Sequence, residues 1–488
     1  MTGSPSRIAR SLALALAVAA TLGACAVGPH FAPPPTPPAA QGAFVSANAE
    51  SSVAEAPPPD WWKLYQDPAL DGFVQQALTE NADLKAAAAN LIKARAVLQE
   101  ARAGQFPTTN LQAGATYGKN ATANLVATLE GTKAHPQWIY DGQLDVSYEV
   151  DLFGRIRRTI EAARADAESQ RAAEDVVRVT VAAETTRAYV DACAYAEETD
   201  VARRSVDTAQ QIYDLTVRQR DLGARSDFEV ASAGAILEQA RAAVPTLEGE
   251  WRSALFELAV LTGRPPEEIS PVASACRTPP RMSQLLPVGD GAALLKRRPD
   301  VREAERTLAA DTARIGVAMA DMFPTVSLTG TAAQAGANAR QLTSSSGFSF
   351  GLGPLITWTF PNVSVALAHT AQARAQASAD IARFDSAVLA ALKEVEEALT
   401  TYDAELRRHA ALQAARDDSA RAFDLAQVQL QNGAIGYPDL LQTERTLIQA
   451  ETELAASDQS LVSDQVTVFK TLGGGWEAAP QVQPPKAS

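Results

Sequence analysis

FPTTNLQAGATYG, residues 106–118, begins a series of segments that returns at FPTVSLTGTAAQAG, residues 323–336. After each copy come strand-like alternation, a very long tract without glycine or proline, a glycine, and a second helical stretch. Internal repeats of this kind reveal the architecture of a whole chain. The sequence therefore predicts two pseudo-equivalent halves. The spacing between the copies is shorter at the glycines than at the FPT, which places an extra loop within Asn120–Pro136 of the first half.

The two tracts without glycine or proline run from Arg155 to Leu222 and from Asn362 to Asn432. As continuous helix each tract would extend for roughly 100 Å, whereas ordinary globular helices have three or four turns. In the second tract apolar residues recur at steps of three and four, and Leu389 with abundant alanines adds a second stripe. Two stripes let each helix pack against neighbours on both sides. The tracts therefore predict a helical tube, with a solid coiled-coil bundle or an isolated rod as the alternative.

Each long tract ends in a glycine, Gly223 in RDLGARSDFEV and Gly433 in QNGAIGYPDLL. Glycine supplies the left-handed conformation that ends a helix. Ser226 in the first half and Pro438 in the second are typical residues for opening the next helix. We expect two helical reversals, both at the tip opposite the strands.

Strict alternation of apolar and polar residues runs from Leu144 to Leu152, which is typical of a strand with one apolar face. Each half thus contributes a hairpin, and aromatic residues flank its strands as they do in membrane sheets. A small soluble sheet packed on helices is the alternative. Four strands cannot close a barrel, and a membrane tolerates no open sheet edge. If the strands cross a membrane, several chains must therefore pool them.

The first 24 residues are predicted to be an export signal, with Arg7 and Arg10 before an apolar run that is too short to span a bilayer. LGAC, ending at Cys25, resembles the lipobox of bacterial lipoproteins. That resemblance implies lipid attachment at Cys25, and Ala26 after it favours the outer membrane. An ordinary signal peptide that happens to carry a cysteine is the alternative. The proline-rich stretch that follows is typical of an extended spacer.

The formal net charge is −14, without a cluster of lysine and arginine, which argues against a nucleic-acid partner. Two further cysteines, Cys193 and Cys276, could form one disulfide in an oxidising compartment. The helical placement of Cys193 favours two small buried or free thiols instead.

The chain offers no recognisable catalytic chemistry. Its histidines lack metal-ligand spacing, and neither a phosphate-binding loop nor a nucleophile motif is present. We therefore predict a protein that is not an enzyme and that has no cofactor and no metal site. The four histidines are His30, His135, His369 and His409.

RRPDVREAERTLAADTARIGVAMADMFPTVSLTG, from Arg297 to Gly330, resembles the most distinctive stretch of the TolC-like outer-membrane efflux proteins, within their lipid-anchored, NodT-type branch. LAVLTGRPPE from Leu258 and FKTLGGGW from Phe469 resemble the ends of the two halves of that family. The similarity covers the chain from Trp61 to Trp476. It implies a mixed, mainly α fold with a two-fold repeat.

The resemblance further implies a homotrimer, with a twelve-stranded transmembrane β-barrel to which each chain gives four strands, and a long α-helical periplasmic barrel of twelve helices. Its implied function is the outer-membrane exit duct of a tripartite efflux system, which exports drugs or small toxic compounds by passive conduction. The implied partners are a periplasmic adaptor, an inner-membrane pump of the RND type, and outer-membrane lipid. A duct for type I polypeptide secretion and a periplasmic lipoprotein scaffold without a pore are the alternatives.

The resemblance also assigns site residues. The periplasmic gate is expected at Asp439 and Gln442, with Ile435 where some relatives carry a gate arginine and Glu229 at the corresponding place in the first half. The bland alternatives are a helix-start role for Asp439 and a solvated charge for Glu229. The adaptor is expected to contact the turns at Gly223 and Gly433.

The predicted organisation follows from these segments. It comprises a signal peptide (1–24), a lipid-anchored proline-rich segment (25–60), a first repeat (61–264) with a hairpin at 108–154, a connector in the equatorial region (265–298), a second repeat (299–476) with a hairpin at 325–360, and a flexible tail (477–488).

Overall fold

A computed structural model describes residues 26–119, 121–282, 284–361 and 363–484. The predicted signal peptide and Cys25 lie outside the described residues. In chain order the helices are α1 (Pro68–Glu80), α2 (Ala82–Ala103), α3 (Ala121–Leu129), α4 (Arg155–Asp221), α5 (Asp227–Leu261), α6 (Pro271–Ser274), α7 (Gly291–Arg297), α8 (Pro299–Ala320), α9 (Val363–Gln431) and α10 (Tyr437–Thr471). The strands are β1 (Ser52–Val53), β2 (Thr108–Gly118), β3 (Gln137–Val150), β4 (Leu286–Pro287), β5 (Thr325–Gly336) and β6 (Phe348–Thr357).

The four long helices confirm the predicted repeat. Helices α4 and α9 contain 67 and 69 residues, and each is followed by a helix of 35 residues, α5 and α10. The lengths of α4 and α9 follow from the absence of glycine and proline, since these two residues disfavour helix interiors most strongly. None of the described helices is both long and apolar enough to cross a membrane.

Helix α9 carries the two predicted apolar stripes, and they differ in burial. Val388 and Val395 on the first stripe are 3% and 0% exposed, whereas Leu389 on the second is 62% exposed. The first stripe packs within this chain. The second stripe leaves apolar surface free for a neighbouring helix.

The four long strands form one antiparallel sheet with the order β2-β3-β5-β6, which confirms one hairpin from each half. Strands β3 and β5 join the halves, with Leu144 opposite Ala332. The edge strands β2 and β6 pair with no further strand in the described part of the chain. Phe350 and Leu352 on β6 are 80% and 77% exposed, so apolar side chains of this sheet face outward.

The predicted extra loop of the first half contains helix α3, which lies between β2 and β3. The equivalent connection in the second half contains only short 3-10 turns, Ala339–Thr343 and Ser345–Gly347, among its described residues. The longer connection explains why the spacing between the two copies changes along the chain.

The chain divides into two compact units. The first comprises the described residues among 26–34, 92–169 and 305–383, and it contains the four-stranded sheet. Phe153, directly after β3, stacks on Phe323 of the second FPT with ring centroids 4.5 Å apart. The backbone N–H of Val27 donates to the carbonyl of Phe153 at 3.1 Å. Residues close to Cys25 are therefore held at the end of strand β3.

Arg158 secures the same N-terminal residues. Its side chain is 2% exposed, and its guanidinium donates to the carbonyl oxygens of Val27 and Gly28, each at 3.2 Å. Gly28 has φ +98°, and a Cβ atom there would lie 2.5 Å from the Cα of Gly316. Only glycine fits this close approach, so the N-terminal residues pack onto the fold rather than merely linking lipid to it.

The second unit comprises residues 35–91, 170–304 and 384–484 of the described chain and holds the larger core. Trp61 is fully buried and stacks on Phe469 of α10, with centroids 4.8 Å apart and the rings 10° from parallel. The proline-rich segment joins this unit through Glu396, whose two carboxylate oxygens accept the N–H groups of Val45 and Ser46, each at 2.8 Å.

Cys193 and Cys276 form a disulfide, so the expectation of two separate thiols was wrong. The connector before α7 brings the Cα of Cys276 to 5.0 Å from the Cα of Cys193 on α4, within the range that a disulfide spans. A helical position does not prevent pairing when the partner comes from a connector that can adapt to it.

We expect Trp61→Ala to lower the free energy of unfolding by about 3–5 kcal/mol, because it removes a fully buried ring and leaves a cavity. Denaturant unfolding of the purified protein measures the change. Val45→Ala is the control, since the Val45 side chain is 95% exposed and its loss should shift stability by less than about 0.5 kcal/mol. Equal effects of the two substitutions would contradict the role of Trp61 in the core.

We expect peptide mapping of the exported protein without reductant to recover the peptides of Cys193 and Cys276 as one linked species. Changing both cysteines to serine should lower stability by about 2–4 kcal/mol, because the crosslink closes a loop with a sequence separation of 83 residues. The double variant should also be insensitive to reductant. Recovery of two free thiols from the oxidised protein would refute the pairing.

Candidate functional site at the paired helical turns

The two predicted reversals have the same backbone structure. Gly223 and Gly433 adopt φ +78° and +70°, the left-handed conformation that the sequence predicted. In each turn the glycine N–H and the next N–H bond back to the preceding helix. The bonds run from Gly223 to Arg220 (2.8 Å), Ala224 to Gln219 (2.9 Å), Gly433 to Leu430 (3.0 Å) and Ala434 to Gln429 (2.9 Å). Both long helices are thus ended by the same mechanism.

The helix after the first turn starts with a capping box. The Ser226 hydroxyl accepts the N–H of Glu229 at 3.3 Å, and the Glu229 carboxylate accepts the N–H of Ser226 at 2.8 Å. The bond from the Ser226 N–H, aided by Arg225, lowers the pKa of Glu229. Glu229 therefore stays ionised and has a structural role at this helix start.

The helix after the second turn starts differently, since Gly436 has no side chain to accept a bond. The Asp439 carboxylate accepts the N–H of Gly436 at 3.0 Å. This bond gives Asp439 the helix-start role that was the alternative to a gate role. Its side chain is nevertheless exposed, as is that of Gln442 three residues later. Residues three apart lie on one helix face, so both predicted gate residues share an exposed face of α10.

Ile435 does not share that face. It is half-buried and packs against an apolar cluster between the helices. We call this group the turn-end cluster, and its buried members are Ala209, Ile212, Ala233, Ile236, Leu237, Phe423, Ala426, Tyr437, Leu440 and Leu441. The cluster joins α4 and α5 of the first half to α9 and α10 of the second.

Tyr437 is the polar anchor of the turn-end cluster. It is fully buried, its hydroxyl donates to the carbonyl of Ile212 at 3.2 Å, and the same hydroxyl contacts that of Thr216. The guanidinium carbon of Arg225 lies 4.6 Å from the ring centroid. Burial raises the pKa of Tyr437, so the hydroxyl keeps its proton. These contacts fasten the start of α10 to the end of α4.

Sequence reasoning missed both Tyr437 and a second buried residue, Glu444. The Glu444 side chain is 1% exposed, and neither of its carboxylate oxygens has a hydrogen-bond partner in the described part of the chain. A signal was present, because Glu444 lies four residues after Leu440 and four before Ile448, at the spacing of one helix face. A glutamate at that spacing breaks an otherwise apolar stripe.

The described residues contain no group of three or more histidine, cysteine, aspartate or glutamate side chains arranged to hold a metal ion. The chemistry of the paired turns consists of hydrogen bonds, exposed polar side chains and apolar packing. This arrangement can hold helices together or release them.

Comparisons with known proteins agree with this architecture. Nodulation protein T of Rhizobium leguminosarum bv. viciae is 28% identical over 473 residues, which cover 95% of this chain and 93% of that protein. The probable efflux pump outer membrane protein TtgC of Pseudomonas putida is 31% identical over 485 residues, or 95% of each chain. Both similarities run through the two halves.

A solved structure, that of the outer-membrane channel OprN, is similar with a TM-score of 0.85 and 32% identity, covering 93% of this chain and all of that one. The sequence profile of the family described as "Outer membrane efflux protein" matches residues 73–264 and 292–474, one segment in each half. The chain therefore belongs to the outer membrane efflux protein family.

Proposed function

We propose that three copies of this chain form the exit duct of a tripartite efflux system, through which drugs or small toxic compounds leave the cell by passive conduction. Members of the family are outer membrane channels rather than enzymes. The Pseudomonas putida relative is named as an efflux pump outer membrane protein. An inner-membrane pump of the RND type would supply the energy, and a periplasmic adaptor would connect the pump to the duct.

The observation that carries the proposal is the incomplete sheet. Strands β2 and β6 leave both sheet edges unpaired in the described chain, and apolar side chains such as Phe350 and Leu352 are exposed. A sheet in a membrane must close on itself, which takes at least eight strands. Three copies supply twelve. The exposed Leu389 stripe of α9 supports the same assembly, because it offers each long helix a second neighbour.

Lipid attachment at Cys25 is part of the proposal. Val27 is bonded to Phe153 at the end of β3, and Arg158 holds Val27 and Gly28. A diacylglycerol on Cys25 would therefore be attached two residues before Val27, which is hydrogen-bonded to Phe153 at the end of β3. Outer-membrane lipid and the sheet would then hold the chain at the same place.

The paired turns are the proposed gate and adaptor contact. Asp439 and Gln442 share an exposed face of α10, so three copies could place three such pairs around the opening. At the first turn Leu222 and Phe228 are 84% and 75% exposed, which gives an adaptor apolar surface beside Gly223. Adaptor binding at the turns near Gly223 and Gly433 would move the helix ends and widen the opening.

We expect the purified, lipidated protein to be a trimer and to produce discrete, gated currents in a planar bilayer. The number of subunits is measured by mass photometry or light scattering in the detergent that is used to purify the protein. A trimer that conducts supports the duct. A monomer that never conducts would favour a periplasmic scaffold, and export restored only with a polypeptide-secretion pump would favour the secretion duct.

We expect Asp439→Cys, after crosslinking between copies with a bis-maleimide, to reduce single-channel conductance at least tenfold, because the linkers would cross the opening. The substitution itself should cost only about 0.5–2 kcal/mol, the value of a helix-start bond. Glu453→Cys, an exposed position farther along α10, is the matched control. Unchanged conductance after complete crosslinking of Asp439→Cys would exclude it from the gate.

A further inference from the structure

Glu444 occupies an unusual place for a carboxylate. It lies on the face of α10 that carries Tyr437, Leu440, Leu441 and Ile448, and its side chain is 1% exposed. Neither carboxylate oxygen has a hydrogen-bond partner among the residues that the structure describes. A buried carboxylate without partners is strongly disfavoured in its ionised form, and it either keeps its proton or forces its surroundings apart.

The surrounding elements do not offer Glu444 a compensating charge. The side chains that α4, α5 and α9 contribute to the turn-end cluster are apolar, apart from the partly buried phenol of Tyr213. The buried hydroxyl of Thr216 on α4 contacts Tyr437. Charged residues next to cluster members in the sequence are exposed, among them Asp207 and Asp214 on α4, Glu238 on α5 and Asp424 on α9. On α10 the exposed Arg445 favours the ionised form, but burial outweighs it. The charges of Arg225 and Glu229 in the first turn affect the pKa of Tyr437 in opposite directions.

We propose that Glu444 is a proton-sensitive positioning residue of the gate, which keeps α10 packed on α4, α5 and α9 when it is neutral and loosens the turn end when it ionises. The contact that it controls is the packing of the two halves against each other in the turn-end cluster. Loosening it frees the helix start that carries Asp439 and Gln442. The inference rests on the proposed function only in assigning this movement to a gate.

The direction of the pH effect follows from burial. Burial raises the pKa of Glu444 to about 7, whereas a solvated glutamate titrates near 4.3. Below about pH 4.3 the carboxyl is protonated in both the packed and the loosened state, and the packed state is not penalised. Between about pH 4.3 and 7 the loosened state releases its proton first, so packing weakens as pH rises. Above pH 7 the effect is complete.

Hydrogen–deuterium exchange of the full-length trimer tests the proposal. Exchange is followed at the backbone amides of residues 437–448. The rates are corrected for the intrinsic pH dependence of amide exchange. The equilibrium constants for opening of this segment are then compared at pH 5.5 and pH 8. If the loosened state has the pKa of a solvated glutamate, opening should rise roughly 30-fold over this range. Glu444→Gln should abolish most of this rise, because an amide does not titrate.

Glu453→Gln is the matched control, since Glu453 lies on the same helix but is exposed. It should leave the rise as in the parent protein. Glu444→Met is a second variant that fills the site without a polar group. It should remove the pH dependence and keep opening low at pH 8. If Glu444→Gln or Glu444→Met shows the full rise, or if the parent shows none, the proposal is overturned.

The hydrogen–deuterium exchange test of Glu444 and the conductance test of the duct can fail independently of each other. A protein that does not conduct but whose turn end opens with a dependence on Glu444 would refute the proposed duct and leave the proton-sensitive contact standing. A conducting trimer whose turn end opens equally at both pH values would keep the duct and remove the role of Glu444. In the case where both hold, the gated currents should become more frequent as pH rises from about 4.3 to 7, level off above pH 7, and lose this dependence in Glu444→Gln.

Discussion

The edges of β2 and β6, which are unpaired in the described part of the chain, are the constraint on which the rest of the structure depends. Backbone N–H and C=O groups at a sheet edge need partners, and inside a membrane water cannot supply them. One chain contributes four strands with apolar side chains exposed, so in the proposed duct other copies of the chain would complete the sheet. The long helices show the same property, because one stripe of α9 packs within the chain while the stripe of Leu389 remains exposed. In the proposed duct, other copies of the chain would cover this stripe, whereas the exposed apolar side chains of the sheet would face lipid.

Near the turns, the small turn-end cluster holds the two halves of one chain together. Tyr437 ties α10 to α4 through Ile212 and Thr216, and apolar residues from all four long helices surround it. Glu444 in the same cluster weakens this contact whenever it is charged. The turn end therefore combines close packing with Glu444, whose burial is unfavourable above neutral pH. This combination suits the opening that the proposed gate requires.

The N-terminal segment and the connector add constraints of another kind. Arg158 and the close approach of Gly28 to Gly316 hold the residues after Cys25 at the end of β3, and Glu396 holds the backbone at Val45 and Ser46. The disulfide fixes the connector to α4. Segments that look like spacers in the sequence thus stabilise the position of the helices, because their backbone polar groups find specific partners on the fold.

The sequence by itself determined the features that depend on neighbouring residues. Absence of glycine and proline determined the long helices, Gly223 and Gly433 determined where they end, and alternation determined the hairpins, since each follows from local conformational preferences. It also placed Asp439 and Gln442 one helix turn apart. The tertiary structure alone decided which side chains are buried. The pairing of Cys193 with Cys276 and the docking of Val27 each depend on a segment far away in the chain, whose approach no local pattern encodes. The spacing of Glu444 places it on an apolar face of α10, but only the packing of the other helices decided that its carboxylate is buried.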